Sequence, residues 1–273
     1  MISFYNHVDG LEAIFRKVDE NRDLTKDDAV KLLSIDSHSS EFYALLAKAN
    51  ELSRKEYGRK GYVFAQIGLN SAPCTGNCKF CSLARDSFVV EDKTEKPLED
   101  ILAEASRAVE EKADALFLMT TADYGVERFL EVSGEVKKLL TPEMMFIANI
   151  GDFGLETAKR LKEVGYTGVY HIVRMNEGQD TDLPKEQRIA TLDAIKAAGL
   201  ELIYCVEPIG PEHTYEQIAD EMLRAREYGV NVMACMKRVG VPGTPLFDKG
   251  EITDLELTKI VAAARLVTRP KQS

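Results

Sequence analysis

The chain has 273 residues, 45% of them hydrophobic and 29% charged, with no tryptophan and a formal net charge of −10. That length suits one large α/β domain with a sizeable buried core. An acidic chain without a basic stripe excludes a nucleic-acid partner, because phosphate binding needs clustered Lys and Arg. No window approaches about eighteen uninterrupted apolar residues, so no membrane span is expected.

The N-terminus reads MISFYNHVDGLEAIF. It lacks a basic region followed by an apolar stretch, so it is not read as a signal peptide, and a cytoplasmic location is expected. Leu11, Ile14, Phe15 and Val18 recur at helical spacing. Leu24-Thr25-Lys26-Asp27-Asp28 opens a second helix, with Thr25 as N-cap and Asp28 at the capping-box position. A third helix runs from about Ser40 to Tyr57 and is ended by Gly58 and Gly61. Residues 1–60 are thus expected as a helical segment packing on a core of residues 61–273.

From Tyr62 onward strands and helices alternate. Short apolar runs at 62–69, 115–120, 144–150, 168–173, 200–206 and 230–236 suit strands buried on both faces. Amphipathic patterns at 98–112, 125–140, 155–164, 185–198, 215–228 and 254–267 suit helices. Gly165, Gly199 and Gly229 follow three of these where a C-cap glycine belongs. Thr268-Arg269-Pro270 breaks the last. Six βα units give an open doubly wound sheet or a barrel, with the chemistry at the C-terminal strand ends. No GxGxxG turn follows the first strand. A cysteine loop stands there instead.

That loop is Ser71-Ala72-Pro73-Cys74-Thr75-Gly76-Asn77-Cys78-Lys79-Phe80-Cys81-Ser82. Five cysteines in a cytosolic chain rarely form disulfides, and three of these five fall within eight residues. Thiolates are soft ligands suited to iron–sulfur clusters or zinc. A structural zinc wants four protein ligands, and no fourth Cys or His stands close in sequence. Three thiolates on a four-iron cluster leave one iron open. Zinc with a distant fourth ligand, and simple buried thiols, stay open on the residues alone.

Cys74-x3-Cys78-x2-Cys81, with aromatic Phe80 before the last cysteine, resembles the signature of the radical S-adenosylmethionine (SAM) superfamily. The resemblance implies a (β/α)6 partial TIM-like barrel, the radical SAM core, behind the N-terminal helical segment. It implies a [4Fe–4S] cluster on Cys74, Cys78 and Cys81, with SAM chelating the open iron. An electron from a donor such as flavodoxin or ferredoxin would then cleave SAM to methionine and a 5′-deoxyadenosyl radical, which abstracts hydrogen from a small-molecule substrate. In the family the second strand end binds the SAM amino group; Thr120-Thr121 stands there, offering hydroxyls and carbonyls. Arg174, beyond the fourth strand, suits the SAM carboxylate, a solvated Arg–Glu pair being the alternative. Ile209, Gly210 and Glu212 match part of the adenine-contacting stretch. Asn149 and His171 are substrate-side candidates, though a lone His is more often a packed residue.

Gly243-Thr244-Pro245-Leu246 resembles the biotin-synthase-like branch, as does the overall order of elements. Ordinary biotin synthases hold a second, sulfur-donating cluster with cysteines on strands two, three and five. The matching positions here are Leu118 and Ile147, and only Cys205 lies near the third. Val173 and Met175 replace an Asn and an Asp after strand four. A second iron–sulfur cluster, a chemical role for Cys205 and Cys235, and a homodimer are left open. So are a radical SAM mutase, a cofactor-assembly enzyme and a non-catalytic iron–sulfur or zinc protein. The enzyme that helps make the iron–guanylylpyridinol cofactor spaces its first two cysteines more widely. Only six strands are counted, so the barrel is expected to stay open at its lateral edge.

Overall fold

The structure, a computed structural model, describes residues 10–88 and 93–269. The first nine residues and Pro270, both read above, lie outside the described residues. In chain order the elements are α1 (Leu11–Asp19), α2 (Lys26–Leu33), α3 (Ser40–Tyr57), β1 (Phe64–Gly68), β2 (Asn70–Ser71), β3 (Thr94–Glu95), α4 (Leu98–Glu110), β4 (Ala115–Met119) and α5 (Val126–Lys137). There follow β5 (Met145–Asn149), α6 (Leu155–Val164), β6 (Gly168–Tyr170), α7 (Lys185–Ala198), β7 (Glu201–Ile209), α8 (Tyr215–Glu227), β8 (Val232–Lys237) and α9 (Asp254–Thr268). Six strands hydrogen-bond in the order β1-β4-β5-β6-β7-β8, and β2 with β3 forms a separate two-stranded ribbon.

The chain divides into two units. One comprises Gly61–Ile203 with Gly240–Asp248. In it β1, β4, β5, β6 and the first residues of β7 pair in parallel, with registers such as Ile67↔Leu118, Met119↔Asn149, Ala148↔Val169 and Val169↔Leu202. Leu116, Leu118, Phe146, Ile147, Ala148 and Val169 are wholly buried. β4 and β5 have no polar alternation, as expected for parallel strands covered on both faces, whereas in β1, at the edge, Gln66 and Gly68 are exposed on either side of buried Ile67. At Gly168 an added Cβ would stand 2.6 Å from the Glu201 carbonyl oxygen of the neighbouring strand, so the two backbones pass too closely for a side chain.

The other unit comprises the residues up to Lys60, Tyr204–Val239 and those from Lys249 onward. Here α3 packs on α9, α2 on α8, and α8 and β8 on α9. Phe42 and Leu45 of α3 are almost wholly buried, each contributing about 1.5–3 kcal/mol of burial. Lys259 is buried yet satisfied: its Nζ donates to the Ile35 carbonyl at 2.9 Å and to the Tyr215 hydroxyl at 3.1 Å, and pairs with Glu256 at 2.9 Å.

Local signals are expressed where the sequence put them. The Thr25 hydroxyl accepts from Asp28 N–H at 3.2 Å while Asp28 accepts from Thr25 N–H at 2.9 Å, a complete capping box. Gly165 and Gly199 cap α6 and α7 in the left-handed region, at φ 105° and 66°. Three differences matter for the site. β6 ends at Tyr170, so His171 and Arg174 lie in the loop beyond it. β7 runs on to Ile209, three residues past the expected end. The β2–β3 ribbon has only two residues per strand, too short for any period to announce it.

Candidate active site

The cysteine loop leaves the first parallel strand by way of β2. Cys74 N–H donates to the Leu83 carbonyl at 2.7 Å, and the Cys74 carbonyl accepts from Asn77 and Arg85 N–H at 3.2 and 3.1 Å. Asn77 takes a left-handed φ of 45°. Its amide donates to Asp86 at 2.9 Å and to Asp182 at 3.0 Å, and its oxygen accepts from Asp86 N–H at 3.1 Å. The loop after β6 holds the cysteine loop from the side. Lys79 N–H donates to the Asp180 carbonyl and Asp182 N–H to the Gly76 carbonyl, both at 2.9 Å. The Lys79 ammonium donates to the Gln179 carbonyl at 2.6 Å.

The sulfurs meet hydrogen-bond donors. Ala122 N–H points at Cys74 Sγ, 3.3 Å away, and Leu83 N–H at Cys81 Sγ, 3.4 Å away. Cys78 is buried, and burial pushes its thiol up to about 11, while the charge of Arg174 acts in the opposite sense. Phe80, before the last cysteine, is partly exposed. Among the described residues no three His, Cys, Asp or Glu side chains gather closely enough for one metal ion. A four-iron cluster takes each thiolate on a different iron, and soft thiols with N–H donors aimed at their sulfurs fit such a group.

At the end of β4, Thr120 N–H donates to the Asn149 carbonyl at 3.0 Å and its hydroxyl to the Thr121 carbonyl at 3.0 Å. Thr121 is buried. Its N–H donates to Asn70 Oδ1 at 3.0 Å, and its hydroxyl accepts from Asn70 Nδ2 at 2.8 Å. Asn149 closes β5 half-buried.

Beyond β6 lies a buried charge cluster. Arg174 N–H donates to Glu177 Oε2 at 2.8 Å, and its guanidinium stands 3.7 Å from the same carboxylate. The Glu177 side chain has no exposure, which corrects the solvated Arg–Glu pair. Arg188 of α7 donates to Asp152 at 2.8 Å and to the Ile172 carbonyl at 3.0 Å, and its Nε lies 3.6 Å from Glu177. Burial and the like charge of Arg174 pull the Arg188 pKa down, against Asp152 and Glu177. His171 is 1% exposed, with Nε2 3.1 Å from the Arg188 carbonyl and 3.5 Å from Asp152. Burial holds its pKa well below the usual value, so the ring is neutral.

In the other unit, Ile209 and Gly210 line a cavity of about 390 Å³ together with His213, Tyr215 and Glu256. Glu212 forms a two-pronged pair with the buried Arg238, whose NH2 also donates to the Gly250 carbonyl at 2.8 Å. Burial raises the Glu212 pKa, but hydrogen bonding and charge from Arg238 outweigh it and leave it lowered. A Cβ at Gly210 would stand 2.5 Å from both partners of this pair. Cys205 is wholly buried, and desolvation pushes the Cys235 thiol up to about 12. Leu118 and Ile147 are wholly buried core residues.

Asn70, Asp152, Arg188 and Arg238 were missed by the sequence reading. Each acts on partners far away in the chain, and no local spacing marks them.

Parallel βα units with three free thiols on the loop after the first strand have the architecture of a βα enzyme with soft ligands at its strand ends. The profile of the Radical SAM superfamily matches residues 72–255, and the chain belongs to that superfamily. It is 27% identical over 274 residues to a biotin synthase of Acetivibrio thermocellus, covering 95% of this chain and 82% of that one. Among solved structures it is similar to methylornithine synthase (PylB), with a TM-score of 0.81 and 18% identity over 94% of this chain and 77% of that one. It is also similar to HydG, a maturase of the [FeFe]-hydrogenase, with a TM-score of 0.81 and 15% identity. That likeness covers 96% of this chain but 61% of the maturase, so the chain spans less than two thirds of its length. The fold is the (β/α)6 partial TIM-like barrel, and the chain is a radical SAM enzyme. The family implies a [4Fe–4S] cluster and SAM. No described helix is long and apolar enough to cross a membrane.

Proposed function

We propose that Cys74, Cys78 and Cys81 hold a [4Fe–4S] cluster and that the chain catalyses a biotin-synthase-type reaction, sulfur insertion into dethiobiotin. The observation that carries the first part is the placement of all three thiols on the loop after β1, with backbone donors aimed at two of their sulfurs. Similarity to biotin synthase along 95% of the chain supports the second. When bound, the cluster supplies the electron that cleaves SAM to methionine and a 5′-deoxyadenosyl radical. The protein's part is to bind and orient. Arg174, with Arg188 behind it, provides guanidinium charge for the SAM carboxylate. Thr120 and Thr121 offer oxygen acceptors for the amino group. The family pattern assigns Ile209 and Gly210 to the adenine, and Arg238 fixes Glu212 beside Gly210. Asn149, Cys205 and Cys235 are assigned to the substrate side, and His171 is a packed residue of its own unit. A flavodoxin- or ferredoxin-type donor and a cytoplasmic setting complete the reading.

A second reading, a mutase or cofactor-assembly enzyme without sulfur insertion, is favoured by Leu118 and Ile147, buried apolar residues where cysteines of a second cluster would stand. Iron and sulfide analysis after anaerobic reconstitution separates the two. Clearly more than four of each per chain, from a second cluster beside the first, supports sulfur insertion, and about four supports the second reading. Changing any one of the three loop cysteines to Ala is expected to abolish 5′-deoxyadenosine formation. A Cys78→Ala protein that cleaves SAM at the wild-type rate would refute the site.

A further inference from the structure

We infer that Asn70 is a positioning residue that fixes the Thr121–Ala122 backbone so that Ala122 N–H donates to Cys74 sulfur and raises the reduction potential of the cluster. The inference rests on the proposed function, which puts a cluster on Cys74.

Of the three loop sulfurs, two receive backbone N–H groups. Leu83 N–H reaches Cys81 Sγ within its own turn. Cys78 Sγ lies 3.7 Å from the Gly76 carbonyl, an oxygen with no hydrogen to give. Cys74 Sγ receives Ala122 N–H from the end of β4, 48 residues along the chain. A donor from so far away needs its own support, and the structure provides it on two sides. Asn70 uses both ends of its amide on Thr121: Oδ1 accepts the N–H and Nδ2 donates to the hydroxyl. Asn70 is itself held in the β2–β3 ribbon, opposite Glu95. Its neighbour Leu69 donates to the Met119 carbonyl and accepts from Lys96 N–H, both at 2.8 Å. On the other side, the carbonyl of the same peptide, that of Thr121, accepts from the Thr120 hydroxyl at 3.0 Å and from Tyr124 N–H at 3.3 Å.

Electrostatics give the arrangement its consequence. Reduction adds negative charge to a cluster and its thiolates. An N–H directed at a sulfur stabilises that charge, so it favours the reduced state and raises the potential. Releasing the N–H makes the cluster harder to reduce. A purely structural Asn70 would alter melting and leave the potential alone.

The test uses the full chain, reconstituted anaerobically with iron and sulfide, with the cluster titrated against mediators and followed by EPR. Asn70→Ala and Asn70→Leu each remove the two bonds by which the side chain holds Thr121. Both are expected to keep wild-type iron content, to show a more negative midpoint potential, and to lose an exchangeable-deuteron coupling in ENDOR spectra. Asn70→Asp keeps the acceptor for Thr121 N–H and is expected to shift the potential less. Asn70→Leu and Asn70→Asp carry the test if Asn70→Ala does not fold. Fully loaded variants with the wild-type potential would overturn the inference, whatever their melting temperatures. A wild-type chain that takes up no cluster would overturn the proposed function and this inference with it, and the iron analysis distinguishes that failure from the first.

Discussion

The cysteine loop and the charge cluster beyond β6 lie in the same unit and are held by opposite means. The loop's ionic cross-links reach water, with side-chain exposures of 51% and 53% at Arg85 and Asp182, and of 45% at Lys79 against 15% at its partner Asp180. In the cluster Arg188 and Asp152 are 5% exposed and Glu177 not at all. Surface pairs contribute at most about 1 kcal/mol, so the loop's shape rests on several backbone hydrogen bonds, none indispensable. Buried charges are different: each is tolerable only while its partners remain. The region with the recognisable motif is thus the redundantly held one, and the unmarked region depends on single residues.

Five substitutions probe this contrast, in falling order of effect. Arg188→Ala leaves Asp152 buried without a guanidinium and Glu177 with Arg174 alone, and is expected to cost about 3–5 kcal/mol of stability by urea denaturation. Arg188→Lys restores little, because one ammonium cannot serve Asp152 and the Ile172 carbonyl with the same planar geometry. Arg174→Ala is expected to weaken SAM binding by about 2–4 kcal/mol in calorimetric titration, with iron content intact. Unchanged affinity would move the carboxylate-binding role away from Arg174.

His171 sets a pH dependence between these extremes. Its ring is neutral in the fold because burial, and then the nearby arginine charges, lower its pKa. The unfolded chain takes up a proton below about 6.5 and the folded chain does not. The unfolded state therefore binds more protons as pH falls, so stability is full above about 6.5 and is lost below it, by up to about 1.4 kcal/mol per pH unit. His171→Gln should flatten this part of a melting-versus-pH curve; an unchanged curve would contradict the assignment. Last, Lys79→Ala removes the ion pair with Asp180 and the bond to the Gln179 carbonyl, both exposed, and is expected to cost under about 1 kcal/mol. A loss as large as that of Arg188→Ala would break the comparison.

The contrast also explains what could be read in advance. Short-range chemistry was legible: the cysteine spacing, Thr25 and Asp28 three residues apart, and the glycines ending α6 and α7. Arg174 was legible as a candidate because it follows an apolar run directly. Arg188 was not. It sits among Lys185, Glu186 and Gln187 and reads as one more polar residue at the start of a helix. Only the approach of Asp152, 36 residues earlier, makes it a buried charge. Asn70 was hidden for the same reason, its partner Thr121 lying 51 residues on. The six-strand count and the α/β class followed from apolar runs bounded by helical periods, signals that repeat along the chain and do not depend on one contact, while the partial barrel followed only from the resemblance carried by the cysteine loop.

Gly168 carries a consequence for reading mutational tolerance. Its absent side chain is what lets β6 and β7 lie against each other, since a Cβ would meet the Glu201 backbone at 2.6 Å and its side chain at 2.9 Å. A strand backbone cannot swing aside as a flexible side-chain tip can, so even alanine would wedge the two strands apart. A saturation library would score position 168 as strictly as a cysteine of the loop, although it makes no contact a ligand would feel. Intolerance there records the spacing between two strands, and a survey that ranks residues by it alone would mistake architecture for chemistry.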